Sequence, residues 1–159
     1  MLDNSTTTTN TEEEIVNIQI PTGRKKFSIN GDTDKILELD INDFGIVTRL
    51  KNIYPKLQEI AQKHENRVLE DTDDNQEMLE QMSDVIQESD KEMRKLVDEL
   101  FNSNVSEVCA PNGTMLDLIG GRFRFEIIID KLSDLYIDSV SKEFEEMKKD
   151  VDSAVSKYQ

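Results

Sequence analysis

Residues 72–101 read TDDNQEMLEQMSDVIQESDKEMRKLVDELF, and the spacing of their apolar side chains sets the architecture to expect. Leu79, Met82, Ile86, Met93, Leu96 and Leu100 recur at intervals of three and four, with Ser89 filling the remaining seam position. A repeat of that period puts all of them on one side of an α-helix. The seam is narrow, as in helices that pair in coiled-coil fashion. Acidic residues crowd its start, from Glu70 to Asp74, where the partial positive charge of a helix amino terminus favours them. A long helix over 72–101 follows.

Upstream, the segment 43–69 keeps Val47, Leu50, Ile53, Tyr54, Leu57, Ile60, Ala61 and Val68 on one face, with Asp43 or Asn42 placed to cap it. Pro55 lacks a backbone donor, so either the helix kinks near Tyr54 or two shorter helices meet there. This segment carries three acids and five bases, whereas residues 70–101 carry twelve acids and three bases. Antiparallel pairing would bring the opposite signs together, which favours register more than it adds energy.

Downstream, residues 122–158 form a third long helix, with an apolar stripe of Phe125, Ile128, Ile129, Leu132, Leu135, Tyr136, Val140, Phe144, Met147, Val151 and Val155. Beyond Phe144 the stripe thins and the helix is expected to project. Between the second and third helices, Asn102, Asn104, Pro111-Asn112-Gly113 and Gly120-Gly121 break the pattern. Val105–Cys109 and Met115–Ile119 have the length of single helical turns, and the glycines read as helix punctuation.

The first 40 residues have a different period. Residues 1–14 are polar, with four consecutive Thr and Glu12-Glu13-Glu14, and bury too little to offset the entropy of ordering, so a disordered tail is expected. Residues 15–40 are strand-rich. Three short runs (Ile15–Ile20, Lys25–Ile29 and Ile36–Leu39) are separated by Pro21-Thr22-Gly23 and Asn30-Gly31-Asp32. The basic triplet Arg24-Lys25-Lys26 reads as protection of a sheet edge, with an acidic partner as the alternative. The fold class is α+β, predominantly α: a short N-terminal antiparallel β hairpin or sheet on a bundle of about three longer helices, one domain over 15–159.

The 159 residues include 34 Asp and Glu against 19 Lys and Arg, a formal charge of -15. A surface so acidic repels phosphate backbones and gains nothing from anionic membranes, so nucleic-acid and membrane partners are not expected. The amino terminus shows neither a basic start nor an apolar run of secretory length, and the longest apolar run is Ile127-Ile128-Ile129. A cytoplasmic location is the simplest reading.

Reactive groups are sparse. The single His64 sits on the apolar face of the first helix and reads as a packed or edge histidine. The single Cys109 cannot form an internal disulfide and has no fixed basic companion, so it reads as a small buried thiol. An EF-hand loop counted from Asp71 requires Gly and a bidentate acid where Gln76 and Met82 stand. No Gly-rich phosphate loop is present. No catalytic residue, metal or cofactor is expected, and the chain reads as a non-enzyme. The methionines fill irregular cores or line faces that accept several partners.

The order of elements carries a resemblance. Phe27-Ser28-Ile29-Asn30 and Ile36-Leu37-Glu38-Leu39 lead into helices, followed by Leu96-Val97-Asp98-Glu99-Leu100-Phe101, a short loop, Val105-Ser106-Glu107-Val108-Cys109 and a closing long helix. Over roughly 15–140 this pattern resembles the tail assembly chaperones of long-tailed, siphovirus-like phages and prophages of Gram-positive bacteria. In that family the segment like Asp98–Phe101 often continues with Gly; here Asn102 stands in that place.

The resemblance implies a non-enzymatic protein of the host cytoplasm, absent from the mature virion. It would bind the tape measure protein and help recruit tail tube subunits, and some relatives are also made in a longer, frameshifted form. A structural component such as a head–tail connector is the alternative. Leu79, Met82, Ile86, Met93, Phe144, Met147 and Val151 are the candidate partner contacts, the competing reading being that they close an ordinary three-helix core. Self-association is the other use for such stripes.

Overall fold

A computed structural model describes residues 13–65 and 73–158. The expectations for the tail up to residue 12, for Val68 and for the side chains of Ala61 and His64 lie outside the described residues. The elements are β1 (Arg24–Ile29), β2 (Asp32–Asp40), α1 (Gly45–Glu65), α2 (Asn75–Phe101), α3 (Val105–Cys109), β3 (Leu118–Ile119), β4 (Arg122–Phe123) and α4 (Arg124–Ser156). The architecture is α+β and predominantly α, with one antiparallel β1–β2 hairpin at its start.

The hairpin turns on Asn30-Gly31, whose φ angles of 54° and 73° are those of a tight two-residue loop. Phe27 pairs with Leu37 and Lys25 with Leu39. Leu37 and Leu39 are buried while Glu38 between them is exposed, so β2 lays one face on the helices. The run Ile15–Ile20 is a correction to the sequence reading. It lies in no strand, since no described residue pairs with it, and every residue from Glu13 to Thr22 is exposed.

At the start of α1, the Asp43 carboxylate accepts the Gly45 amide at 2.9 Å and the Arg49 guanidinium at 2.7 Å. Arg49 also donates to the Leu100 carbonyl at 2.8 Å, satisfying an acceptor in the last turn of α2. The two helices thus run antiparallel, and Lys56 and Ile60 of α1 face Glu92, Leu96 and Glu99 of α2 across a shallow cleft. Pro55 sits within α1, which continues through it as a single helix.

α2 is capped by Asp74, whose side chain accepts the Gln76 amide, and ends at Asn102 with φ 50°. That left-handed residue is ordinarily Gly, with Asn the usual substitute.

The segment 115–119 is a second correction. Leu118 and Ile119 form a two-residue strand paired with Arg122 and Phe123 around Gly120-Gly121, so these glycines make a hairpin turn and do not punctuate a helix. The core joins Leu37, Leu39 and Ile41 to Ile46, Ile53, Met93, Leu96, Val97, Leu100, Phe101, Val105, Met115, Ile128, Leu132 and Tyr136. Phe101 and Tyr136 meet with ring centroids 5.8 Å apart. Burial, and secondarily the Asp43 carboxylate, pushes the Tyr136 phenol up to about 12.

Candidate protein-binding surfaces

The seven candidate contacts divide. Met93 is only 4% exposed and belongs to the core, where α2 packs against α1, α3 and α4. It is no partner contact. Leu79, Met82 and Ile86, about two to four turns earlier on the same seam, are 66%, 45% and 42% exposed. On α4, Phe144, Met147 and Val151 are 50%, 54% and 56% exposed. Every residue from Ser141 to Tyr158 is exposed.

Phe144 is the point at which α4 leaves the body, its ring stacked on Phe44 with centroids 5.2 Å apart and planes 14° from parallel. The neighbouring Ser139 hydroxyl bonds the Asn42 side chain just before α1.

A groove between α1 and α4 is the feature that the sequence reading missed. Its volume is about 530 Å³, and Leu50, Ile53, Tyr54 and Leu57 line one side while Phe125, Ile129, Ser133 and Ile137 line the other. Val47 and Tyr54, read as core positions, are 57% and 71% exposed because α4 stands away from that side of α1. Ser133 is 8% exposed and its hydroxyl has no hydrogen-bond partner among the described residues. A polar group so placed is costly unless an occupant supplies the missing bond. Glu126, Asp130 and Asp134 line the α4 rim, and Arg122 pairs with the first two.

The groove face and the open stripe are one face of one helix. Eighteen residues make five full turns, so Met147 follows Ile129, Val151 follows Ser133 and Val155 follows Ile137 in line. The thirty-one residues from Phe125 to Val155 give this track a length of about 45 Å at a rise of 1.5 Å per residue.

A polar network fixes where α4 sets out. Asp98 accepts the Ser106 amide at 2.7 Å and its hydroxyl at 2.8 Å, holding the start of α3. Arg94 pairs with Asp90 at 2.9 Å and donates to the Ser106 and Gly113 carbonyls. The first amides of α4 are satisfied by backbone, Arg124 donating to the Asp117 carbonyl and Phe125 to that of Met115.

Cys109 is half-buried. Burial, and then the Asp98 carboxylate, pushes its thiol up to about 11, the reverse of what a nucleophile needs. No cluster of three or more metal-ligating side chains occurs among the described residues, and no described helix is long and apolar enough to cross a membrane. Comparison with protein-family models, with curated proteins and with solved structures finds no match to this chain.

Proposed function

We propose that the chain is a non-enzymatic binding protein that holds a long helical polypeptide along the open face of α4, as a tail assembly chaperone of a siphovirus-like phage. Its client would be the tape measure protein, with tail tube subunits recruited to the complex, in the host cytoplasm and outside the mature particle.

The observation that supports this reading is the apolar track from Phe125 to Val155, grooved at one end and open at the other. An amphipathic helix laid in such a groove presents anchors every three or four residues, matching the period of the track. Leu79, Met82, Ile86, Phe144, Met147 and Val151 remain candidate contacts, joined by Ile129, Ser133 and Ile137. The formal charge of -15 keeps a complex with an aggregation-prone client soluble.

The test is co-expression with a candidate tape measure protein. The client should stay soluble and co-purify with the wild-type chain. It should be lost when Met147→Asp and Val151→Asp are combined, with helicity unchanged. A client that precipitates equally with and without this protein overturns the proposal.

A further inference from the structure

The segment Glu13–Ile20 carries Ile15, Val16, Ile18 and Ile20 at 92%, 73%, 78% and 76% exposure, in no helix or strand. Val16, Ile18 and Ile20 alternate with Asn17 and Gln19, the period-two pattern of a strand with one buried face. Beside it, β1 pairs only with β2, in a two-stranded sheet whose other β1 edge has no ladder among the described residues. Two strands alone are marginal, and an open edge accepts a third. We propose that residues 13–20 of one copy of this chain add as a parallel strand to the β1 edge of a second copy.

Direction and partner both follow from the residues. In a parallel register Glu13 lies beside Arg24, Glu14 beside Lys25, Val16 beside Phe27 and Ile18 beside Ile29. Acid then meets base, and Val16 and Ile18 share the core-facing side of the sheet with Phe27 and Ile29. Lys25 has no ion-pair partner among the described residues, and Glu14 supplies one, while Lys26 falls beside Ile15. Beyond Ile29 a cavity of about 610 Å³ opens, lined by Ile29, Ile119, Ile127, Ile128 and Leu132, where Ile20 would arrive. Two of its cations, Lys35 and Arg124, already face Asp32 and Asp117.

The antiparallel registers that set Val16, Ile18 or Ile20 opposite Phe27 put Glu13 opposite Asn30, Asp32 or Asp34 and never opposite a base, a poorer match. A parallel pair cannot be made by the chain's own arm. Pro21-Thr22-Gly23 supplies three residues, and a parallel crossover takes a dozen or more. The edge lysines, which deter indiscriminate pairing, thereby select an acidic strand. This inference does not depend on the helical client.

Light scattering on the full chain should give a mass above the monomer that grows with concentration, while Ile18→Asp remains monomeric with unchanged circular dichroism. In a Cys109→Ser background, separately purified Asn17→Cys and Ser28→Cys chains should form a mixed disulfide on co-incubation. Lys25→Glu should weaken association at least tenfold, and Glu14→Lys added to it should restore the wild-type constant. A monomer at every concentration overturns the proposal. So does association indifferent to Ile18→Asp, a disulfide found only within single chains carrying both cysteines, or a charge exchange that rescues nothing.

Discussion

The Met115 amide donates a 2.7 Å hydrogen bond to the Asp90 carboxylate, joining residues 25 positions apart. Met115 is fully buried, so the bond closes off an amide that has no water to turn to. It belongs to a row on α2, Asp90, Arg94 and Asp98, spaced one turn apart. Together they hold Ser106, Gly113 and Met115 of the chain between α2 and α4. The irregular segment is thereby attached to a helix along its length, and the position of α4 is set from α2.

Asp90→Ala should therefore destabilise the fold by about 2 kcal/mol, the cost of a charged hydrogen bond lost to a buried amide. Urea denaturation would read this as a lower midpoint at unchanged slope. A slope that changed as well would mean that α4 had detached.

Core and surface positions of the α2 and α4 stripes should separate cleanly. Met93→Ala empties a buried site and should cost about 2–5 kcal/mol. Met147→Ala lies on the exposed stretch and should fall within about 0.5 kcal/mol of wild type. Thermal melts of the two variants side by side test this, and equal losses would contradict the division.

Pro55 lies inside α1, exposed, and leaves the Lys51 carbonyl without its helical donor. Pro55→Ala should stabilise the chain, by up to about 3 kcal/mol given the helix-interior penalty for proline. A lower melting temperature would instead mean that the groove beside Tyr54 depends on the conformation that the proline ring fixes.

Asp117 should lend the fold a pH dependence in the acid range. It accepts the Thr114 hydroxyl at 2.7 Å and the Thr114 amide at 3.2 Å, with Arg124 facing it at 3.3 Å. Those bonds, the hydroxyl first, hold its carboxyl below the ordinary 3.8. A depressed folded pKa means that the contribution is complete above the unfolded value and is lost as pH falls through the folded one. Wild type and Asp117→Asn should differ most near neutrality and converge in strong acid. A gap that stays constant on acidification would refute this.

Cys109 should react slowly. Burial pushes its thiol up to about 11, so its reactive thiolate is scarcer near neutrality than that of a free thiol. Iodoacetamide labelling, native against urea-unfolded, measures the ratio directly. Labelling at the unfolded rate would show the site to be open.

Periodicity made the three long helices and the hairpin legible, because a stripe at three-and-four spacing has only one regular conformation to match. It shows which residues share a face; what covers that face depends on other elements. Leu79 and Met93 belong to one seam, yet only Met93 lies where other elements pack. The pair Leu118-Ile119 was too short for any period to register, and the Gly120-Gly121 turn took its meaning from strands on either side. Ile15–Ile20 alternated as a strand does, but a strand is made by its neighbour, and the sequence does not show which chain that neighbour is on. The groove floored by Ser133 arises from the gap between α1 and α4, which no spacing within either helix encodes.

The stack of Phe44 on Phe144 makes a fulcrum of that ring pair. From Phe144 to Ser156 the rod runs unsupported for about 18 Å at 1.5 Å per residue. A tilt of about ten degrees at the fulcrum would swing its tip by about 3 Å, more than half the height of one helical turn. Whatever grips the tip gains leverage on the aromatic pair, and through it on the segment leading into α1.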